Sequence, residues 1–266
     1  MEKSMLRATI LSQEEIAHQI YSMWLQTDEI ARAAVPGQFV SVYCNDSGRM
    51  LPRPISICET DKERGGIRLV YRVAGKGTAE FAGYQAGDRL DLLGPLGNGF
   101  PLERCQEGRT AFLIGGGIGI PPMVELSKRL KGQVQVIAGY RDELFLTDEL
   151  AANGELYLSV ENGDLFKNLS AGGAVHGNVL DCIREKQLAA DVIYACGPTP
   201  MLRAIKAYAQ ENGMECYLSL EQRMACGIGA CLACVCESAD VDAHSQVKNK
   251  RICKEGPVFA AEEVVL

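Results

Sequence analysis

Four cysteines late in the chain have the residue type and spacing to do chemistry. Cys226, Cys231 and Cys234 stand at C-x4-C-x2-C in the run Cys226-Gly227-Ile228-Gly229-Ala230-Cys231-Leu232-Ala233-Cys234, and Cys253 follows after eighteen further residues. That spacing suits a plant-type [2Fe–2S] centre, in which four thiolates hold two irons. Gly227 and Gly229 can turn the chain tightly without a Cβ penalty and leave N–H groups free to face sulfur. Such a centre exchanges one electron at a time. The plainer alternative is structural zinc, which takes cysteines two to four residues apart in two separated couples. Three ligands crowded into one glycine-rich loop, with the fourth alone, fit that pattern poorly.

Four other runs carry groups suited to anions. Gly115-Gly116-Gly117-Ile118-Gly119-Ile120-Pro121-Pro122 falls where a strand should end and a helix begin, so its N–H groups favour a phosphate. Proline suits the first helical turn, where its missing N–H would be unpaired anyway. The run is not G-x-G-x-x-G, because Ile120 occupies the third required position, and the ordinary dinucleotide fingerprint is absent. Cys196-Gly197-Pro198-Thr199-Pro200-Met201-Leu202 reads as a second strand-to-helix junction. Ligands of open α/β sheets bind beyond the carboxyl ends of the strands, where both loops should lie. Cys196 taken alone reads first as a small buried residue. Earlier in the chain, Arg53-Pro54-Ile55-Ser56 and Tyr71-Arg72-Val73-Ala74-Gly75-Lys76-Gly77-Thr78 each gather an arginine with hydroxyls or glycine amides, as an anionic cofactor requires.

The elements that position these runs fall into three segments. Over residues 1–102, short β-type runs such as 39–43, 67–71 and 89–93 alternate with turn signals at 35–37, 64–66 and 94–99, which predicts a small antiparallel barrel. Over 103–215 the rhythm changes. Apolar runs at 111–114, 134–138, 155–160 and 191–195 alternate with helical stretches at 121–130 and 199–210, which predicts a parallel sheet with helices on its faces. Residues 216–266 carry the cluster cysteines and have too little apolar material for a core of their own.

Composition excludes several classes. Hydrophobic residues make up 47% of the 266 and charged residues 23%, a globular balance. The net charge of −7, with no basic stripe, argues against nucleic acid. Eleven cysteines, an odd number in a chain this long, do not describe a secreted disulfide scaffold. No stretch reaches the roughly 18 apolar residues of a membrane span, and the opening residues lack a cleavable apolar segment. Thiols kept reduced beside a cluster motif point to the cytoplasm.

Taken in order, R-P-x-S, G-G-G-I-G-x-P-P and C-G-P-x-P-M-L resemble the ferredoxin–NADP reductase superfamily. The appended C-G-I-G-A-C-L-A-C and C-K-E-G-P-V-F are similar to those of the electron-transfer subunits of dihydroorotate dehydrogenase B. The resemblance covers essentially the whole chain. It implies an N-terminal antiparallel β-barrel for FAD, a ferredoxin-reductase-like α/β nicotinamide domain and a small C-terminal [2Fe–2S] module. By the same resemblance Arg53, Pro54, Ile55, Ser56, Val70, Tyr71, Arg72, Gly77 and Thr78 would contact FAD. Gly115, Gly116, Gly117, Gly119, Cys196, Gly197 and Pro198 would line the NAD site, and Cys226, Cys231, Cys234 and Cys253 would hold the cluster. Ile55 stands where many superfamily members have an aromatic residue, and Val160-Glu161-Asn162-Gly163-Asp164-Leu165-Phe166-Lys167 replaces the family's usual acidic stretch near nicotinamide. Cys236, two residues past Cys234, would point to the opposite face of a strand and is not counted as a ligand. The absence of an arginine-rich cluster for a 2′-phosphate favours NAD over NADP.

The implied path runs from dihydroorotate through FMN on a partner subunit, the cluster and FAD to NAD+, in pyrimidine (UMP) biosynthesis. Nicotinamide exchanges two electrons and a cluster one, so FAD, which can do both, stands between them. No side chain of this chain is expected to act as a catalytic base. A (β/α)8 barrel of about 250 residues has no room here, so the partner is a separate FMN-containing catalytic subunit, expected in a heterotetramer with two copies of each. Other readings are a FAD/[2Fe–2S] NAD(P)H oxidoreductase subunit serving ferredoxin or sulfur metabolism, a zinc-stabilised binding module, and a regulator that binds flavin but not nicotinamide.

Overall fold

The computed structural model describes residues 4–169, 172–241 and 246–266. They form two compact units, one of residues up to 99 with 222–258 and one of 100–221 with 259–266. The expected cluster segment 216–266 is thus shared between them.

The first unit is built on β1 (Ser4–Ala17), β2 (Ile20–Gln26), α1 (Asp28–Ala33), β3 (Phe39–Val42), β4 (Arg53–Asp61), β5 (Gly66–Arg72), α2 (Lys76–Ala82) and β6 (Arg89–Leu96). The six strands close into a barrel in the order β1-β2-β5-β4-β3-β6, with antiparallel neighbours throughout. Closure leaves no sheet edge exposed. Ile10, Leu25, Val40, Ile57, Leu69 and Leu92 fill the interior, none more than 3% exposed, and each contributes roughly 1.5–3 kcal/mol. Arg68 is buried but paired, to Glu59 Oε2 and Ser22 Oγ at 2.9 Å each, as a buried charge requires.

Alternation along β3 decides what faces outward. Val40 and Val42 enter the barrel core, which leaves Phe39 and Ser41 on the outer face. Their partners across the ladder are Ser56 and Pro54, so the R-P-I-S run presents Pro54 and Ser56 on that same face, while Ile55 packs against the core. The later part of this unit carries a two-stranded ribbon, β13 (Val235–Glu237) and β14 (Asn249–Arg251). It sets Val235 opposite Arg251.

The second unit contains β7 (Thr110–Gly116), α3 (Pro121–Arg129), β8 (Gln133–Tyr140), α4 (Thr147–Ala151), β9 (Glu155–Val160), α5 (Gly163–Leu169), β10 (Val175–His176), α6 (Val179–Glu185), β11 (Val192–Cys196), α7 (Thr199–Glu211) and β12 (Glu215–Ser219). The sheet runs β10-β9-β8-β7-β11-β12, with β15 (Val258–Ala260) at its far edge. The chain steps outward from β7 through β8 and β9, then returns to the other side of β7 as β11. That reversal makes the space beyond β7 and β11 the topological switch point, where such sheets bind ligands. Helix α7 buries Leu202, Ile205 and Ala209, one stripe at helical spacing. The predicted strands and both predicted helices are present; α4, α5, α6, β10, β12 and β15 are additional to them.

Candidate functional site

The barrel carries the first group of site residues. Arg53 opens β4, and its guanidinium lies directly over Gly77 in α2. A Cβ at Gly77 would come within 2.6 Å of Arg53 Nη2, so only glycine admits this close approach. Arg53 also donates to the Leu51 carbonyl. Arg72, at the end of β5, is the exposed residue of an otherwise buried strand. Arg53 and Arg72 have the charge, and Gly77 the small size, that a phosphate-bearing cofactor requires. Two expected contacts differ in kind. The Tyr71 ring is buried, stacked 5.9 Å from Tyr21 and edge-on to Phe81, and its hydroxyl donates to Gln13 Oε1 at 3.0 Å. Thr78 Oγ1 accepts the N–H groups of Ala74 and Gly75 at 2.8 and 3.2 Å and donates to the Gly75 carbonyl at 3.1 Å. Val70, before Tyr71 on β5, is buried as well.

The loop leading into Arg53 is held by Glu80. Its carboxylate accepts the N–H groups of Asn45 and Asp46 at 2.7 and 3.2 Å, the Tyr84 hydroxyl and the Arg49 guanidinium. Burial alone would raise the Glu80 carboxyl, but these donors outweigh it and hold it down to about 2.

In the second unit, the two glycine loops meet as the sheet register requires, with Gly115 opposite Cys196. A Cβ at Gly119 would lie 2.6 Å from the Gly197 nitrogen. One at Gly116 would stand 3.0 Å from Met201 Cε and 3.3 Å from Pro198 Cδ. Gly117, with φ of +54°, has nothing within 4 Å of a would-be Cβ, so its backbone faces open space. Pro121 begins α3 after a single 3-10 turn at Gly117–Gly119. Burial, with a smaller push from Glu221, drives the Cys196 thiol up to about 12 against a Ser219 hydrogen bond, so it stays a neutral thiol. The divergent stretch 160–167 is ordered by Asn162, whose Oδ1 accepts from Asp164 and Leu165 at 2.9 and 3.2 Å and starts α5.

The cysteines gather on the first unit in two couples. Cys226 Sγ accepts N–H groups from Ala230 and Cys231 at 3.3 and 3.4 Å. Burial would raise its thiol, but the N–H groups of Ile228, Cys231 and Ala230 and the Cys231 thiol bring it down to about 6. Cys234 Sγ accepts the Cys253 N–H at 3.4 Å. Burial first, then the Cys234 thiol, raise the Cys253 thiol to about 12. Among the described residues, no three His, Cys, Asp or Glu side chains converge as one metal ion requires. A two-iron cluster asks instead for two thiolates on each iron, and a loop that aims backbone N–H groups at sulfur suits it. The donor set therefore fits a [2Fe–2S] group, with Cys226 and Cys231 as one couple and Cys234 and Cys253 as the other. Gly227 and Gly229 have φ of +68° and +86°, the left-handed region that favours glycine. Cys236 lies on β13 and its thiol donates to the Lys250 carbonyl at 3.6 Å.

Two residues passed over in the sequence hold the cluster segment on the barrel. A Cβ at Gly227 would meet Ser41 Oγ at 2.7 Å, and that hydroxyl is fully buried without a hydrogen-bond partner. Asn98 exchanges hydrogen bonds with residues 255–258: its N–H donates to the Gly256 carbonyl at 2.7 Å, and its Nδ2 donates to the Glu255 and Val258 carbonyls at 2.9 Å. A Gly-Asn-Gly run reads only as a turn, so no local signal marks Asn98.

A barrel with an arginine–glycine cradle, a nicotinamide-type switch point and a paired-thiol loop together define a flavin-dependent reductase carrying its own iron–sulfur module. Residues 7–100 match the oxidoreductase FAD-binding domain, and residues 221–265 match the iron-sulfur cluster binding domain of dihydroorotate dehydrogenase B. The solved structure of an NADH-dependent reduced ferredoxin-NADP oxidoreductase superposes with a TM-score of 0.83 at 26% identity, over 97% of this chain and 89% of that one. A ferredoxin NADP+ reductase from Neisseria gonorrhoeae shares the fold at 18% identity and a TM-score of 0.63, over 79% of this chain and 92% of that one. The dihydroorotate dehydrogenase B (NAD(+)) electron transfer subunit of Bacillus velezensis is 44% identical over 97% of this chain and 98% of its own length. That of Geobacillus thermodenitrificans is 43% identical over 98% of both. The chain belongs to the family of dihydroorotate dehydrogenase B electron transfer subunits.

Proposed function

We propose that this chain carries electrons between an FMN-containing, dihydroorotate-oxidising catalytic subunit and NAD+, in pyrimidine biosynthesis. The observation that carries the reading is the docking of the paired-thiol loop onto the barrel that carries Arg53, Arg72 and Gly77, within one compact unit. When bound, FAD exchanges a hydride with nicotinamide and single electrons with a [2Fe–2S] cluster. The chain's own residues bind and orient. Arg53 and Arg72 offset pyrophosphate charge, with Pro54, Ile55, Ser56, Val70, Tyr71, Gly77 and Thr78 framing the flavin. Gly115–Gly119 and Cys196–Pro198 receive the dinucleotide, and Cys226, Cys231, Cys234 and Cys253 hold the cluster. The three functional segments are 1–102 for FAD, 103–215 for NAD and 216–266 for the cluster.

Beside the thiols, Ile228 and Leu232 are 44% and 56% exposed. Apolar side chains around an exposed Cys231 suit a face covered by the catalytic subunit, in a heterotetramer of two copies of each. Among the described residues no helix is long and apolar enough to cross a membrane, and the complex is assigned to the cytoplasm.

The test is the visible spectrum of anaerobically purified protein before and after stoichiometric NADH. Overlapping flavin and iron–sulfur bands that bleach with NADH support the reading. A colourless, zinc-loaded protein indifferent to NADH contradicts it.

A further inference from the structure

We propose that Arg251 is the positioning residue that holds the two couples of cluster thiols in register, because it joins every ligand-bearing segment. The inference rests on the assignment of Cys226, Cys231, Cys234 and Cys253 as ligands. Its side chain reaches back into the cluster loop, where Nη1 donates to the Gly229 carbonyl at 3.0 Å. Gly229 lies between Cys226 and Cys231. Its main chain pairs with Val235, the neighbour of Cys234, and the next residue closes the ladder through Ile252 N–H to the Cys234 carbonyl at 2.9 Å. Cys253 follows one position later.

The guanidinium is not free to wander. Glu255 grips it: Nε lies 3.1 and 3.0 Å from the two carboxylate oxygens, and Nη2 bonds Oε1. The same carboxylate accepts the Arg251 N–H at 2.7 Å, and the Arg251 carbonyl accepts the N–H groups of Lys254 and Glu255 at 3.0 and 2.8 Å. Glu255 is itself fixed to the barrel through Asn98. The pair is only 19% and 26% exposed, so a planar fork held by two oxygens can aim its remaining N–H at one carbonyl. The Lys254 stem closes over the same glycine, with Cδ 2.7 Å and Cβ 3.0 Å from a would-be Cβ. Gly229 is thereby held at its carbonyl and at its α-carbon, in a loop without helix or strand. Lysine could not replace this arginine, because a single ammonium cannot keep two carboxylate oxygens and a carbonyl in one plane.

The experiment compares parent, Arg251→Lys and Glu255→Gln proteins, each purified anaerobically as the full chain with its cofactors. Iron, sulfide and FAD are assayed, cluster loss to a chelator is timed, and the EPR spectrum and midpoint potential of the reduced cluster are recorded. Arg251→Lys is expected to keep the parent's FAD content, lose its cluster at least tenfold faster, and show altered g-anisotropy with a shifted potential. Glu255→Gln should move the same readouts in the same sense by a smaller factor. Parent-like chelation kinetics and EPR in Arg251→Lys would overturn the assignment. Loss of FAD together with the cluster would overturn it too, by placing the effect in the fold of the whole unit. Absence of iron from the parent would instead refute the ligand assignment beneath it.

Discussion

The two glycine-rich loops proposed to serve cofactors are held in opposite ways. The loop at 115–119 is fixed from both ends by regular structure: β7 delivers it, α3 receives it, and the neighbouring strand β11 brings Cys196 and Gly197 against it. Its glycines chiefly permit close packing, since Gly119 has no room for a Cβ beside the Cys196–Gly197 backbone. The loop at 226–234 has neither helix nor strand. Its glycines supply positive φ angles, and its shape depends on N–H groups aimed at Cys226 Sγ and on the Arg251–Glu255 pair, which Asn98 ties to the barrel. A nicotinamide site can thus stand ready before its ligand arrives. A cluster site of this kind takes its final form with the metal, because ligation energy is also folding energy.

The largest effect expected from this contrast is at Cys231. Cys231→Ala removes one thiolate of a couple and should abolish cluster retention and electron exchange with the catalytic subunit, while NADH still reduces bound FAD. Iron and sulfide analysis beside a flavin-reduction trace checks both halves. Next is Gly119→Ala, where the new methyl meets backbone that cannot swing away. Overpacking of this sort costs about 1–3 kcal/mol, and the concentration of NADH needed for half-maximal flavin reduction should rise accordingly.

Gly229→Ala should cost less, about 1–2 kcal/mol from its left-handed backbone, since the Lys254 stem that blocks it is flexible. Asparagine tolerates that region better. Gly229→Asn should therefore recover part of the loss in thermal melting, whereas Gly119→Asn should not.

The smallest effect concerns a third loop, 45–52, which like the cluster loop is held by side chains rather than by regular structure. Glu80 is held at about 2 against an ordinary 4.5. Its contribution is complete above about 4.5 and disappears as pH falls through about 2. Glu80→Gln should weaken FAD retention by about 1 kcal/mol at neutral pH and remove that part of the acid dependence. Flavin release followed against pH gives the answer.

Legibility in the sequence follows the same division. The cysteine spacing, the β7 and β11 junctions and the arginine-led start of β4 are local patterns, visible because neighbouring residues carry them. Strand β1 was not legible as a strand of fourteen residues. Its register breaks at Ile10/Ser12 and Glu15/Ala17, so no single two-residue period runs through it. Helices α1 and α2, of six and seven residues, are too short to show a 3.6 period. What joins distant residues left no mark: Arg53 over Gly77, Glu80 on the 45–49 turn, Asn98 on 255–258 and Arg251 on Gly229 are pairings that folding alone creates. Tyr71 and Thr78 show the converse. Their positions were marked by motif, while the side-chain bonds of Tyr71 to Gln13 and of Thr78 to residues 74 and 75 were not.

The most direct test of the central claim is anaerobic turnover of dihydroorotate to orotate by the catalytic subunit, with NAD+ as sole acceptor and this chain either intact or as Cys231→Ala. The account predicts NADH formation with the intact chain and none with the variant, although the variant keeps its FAD. Rapid NADH formation by the variant complex would contradict it.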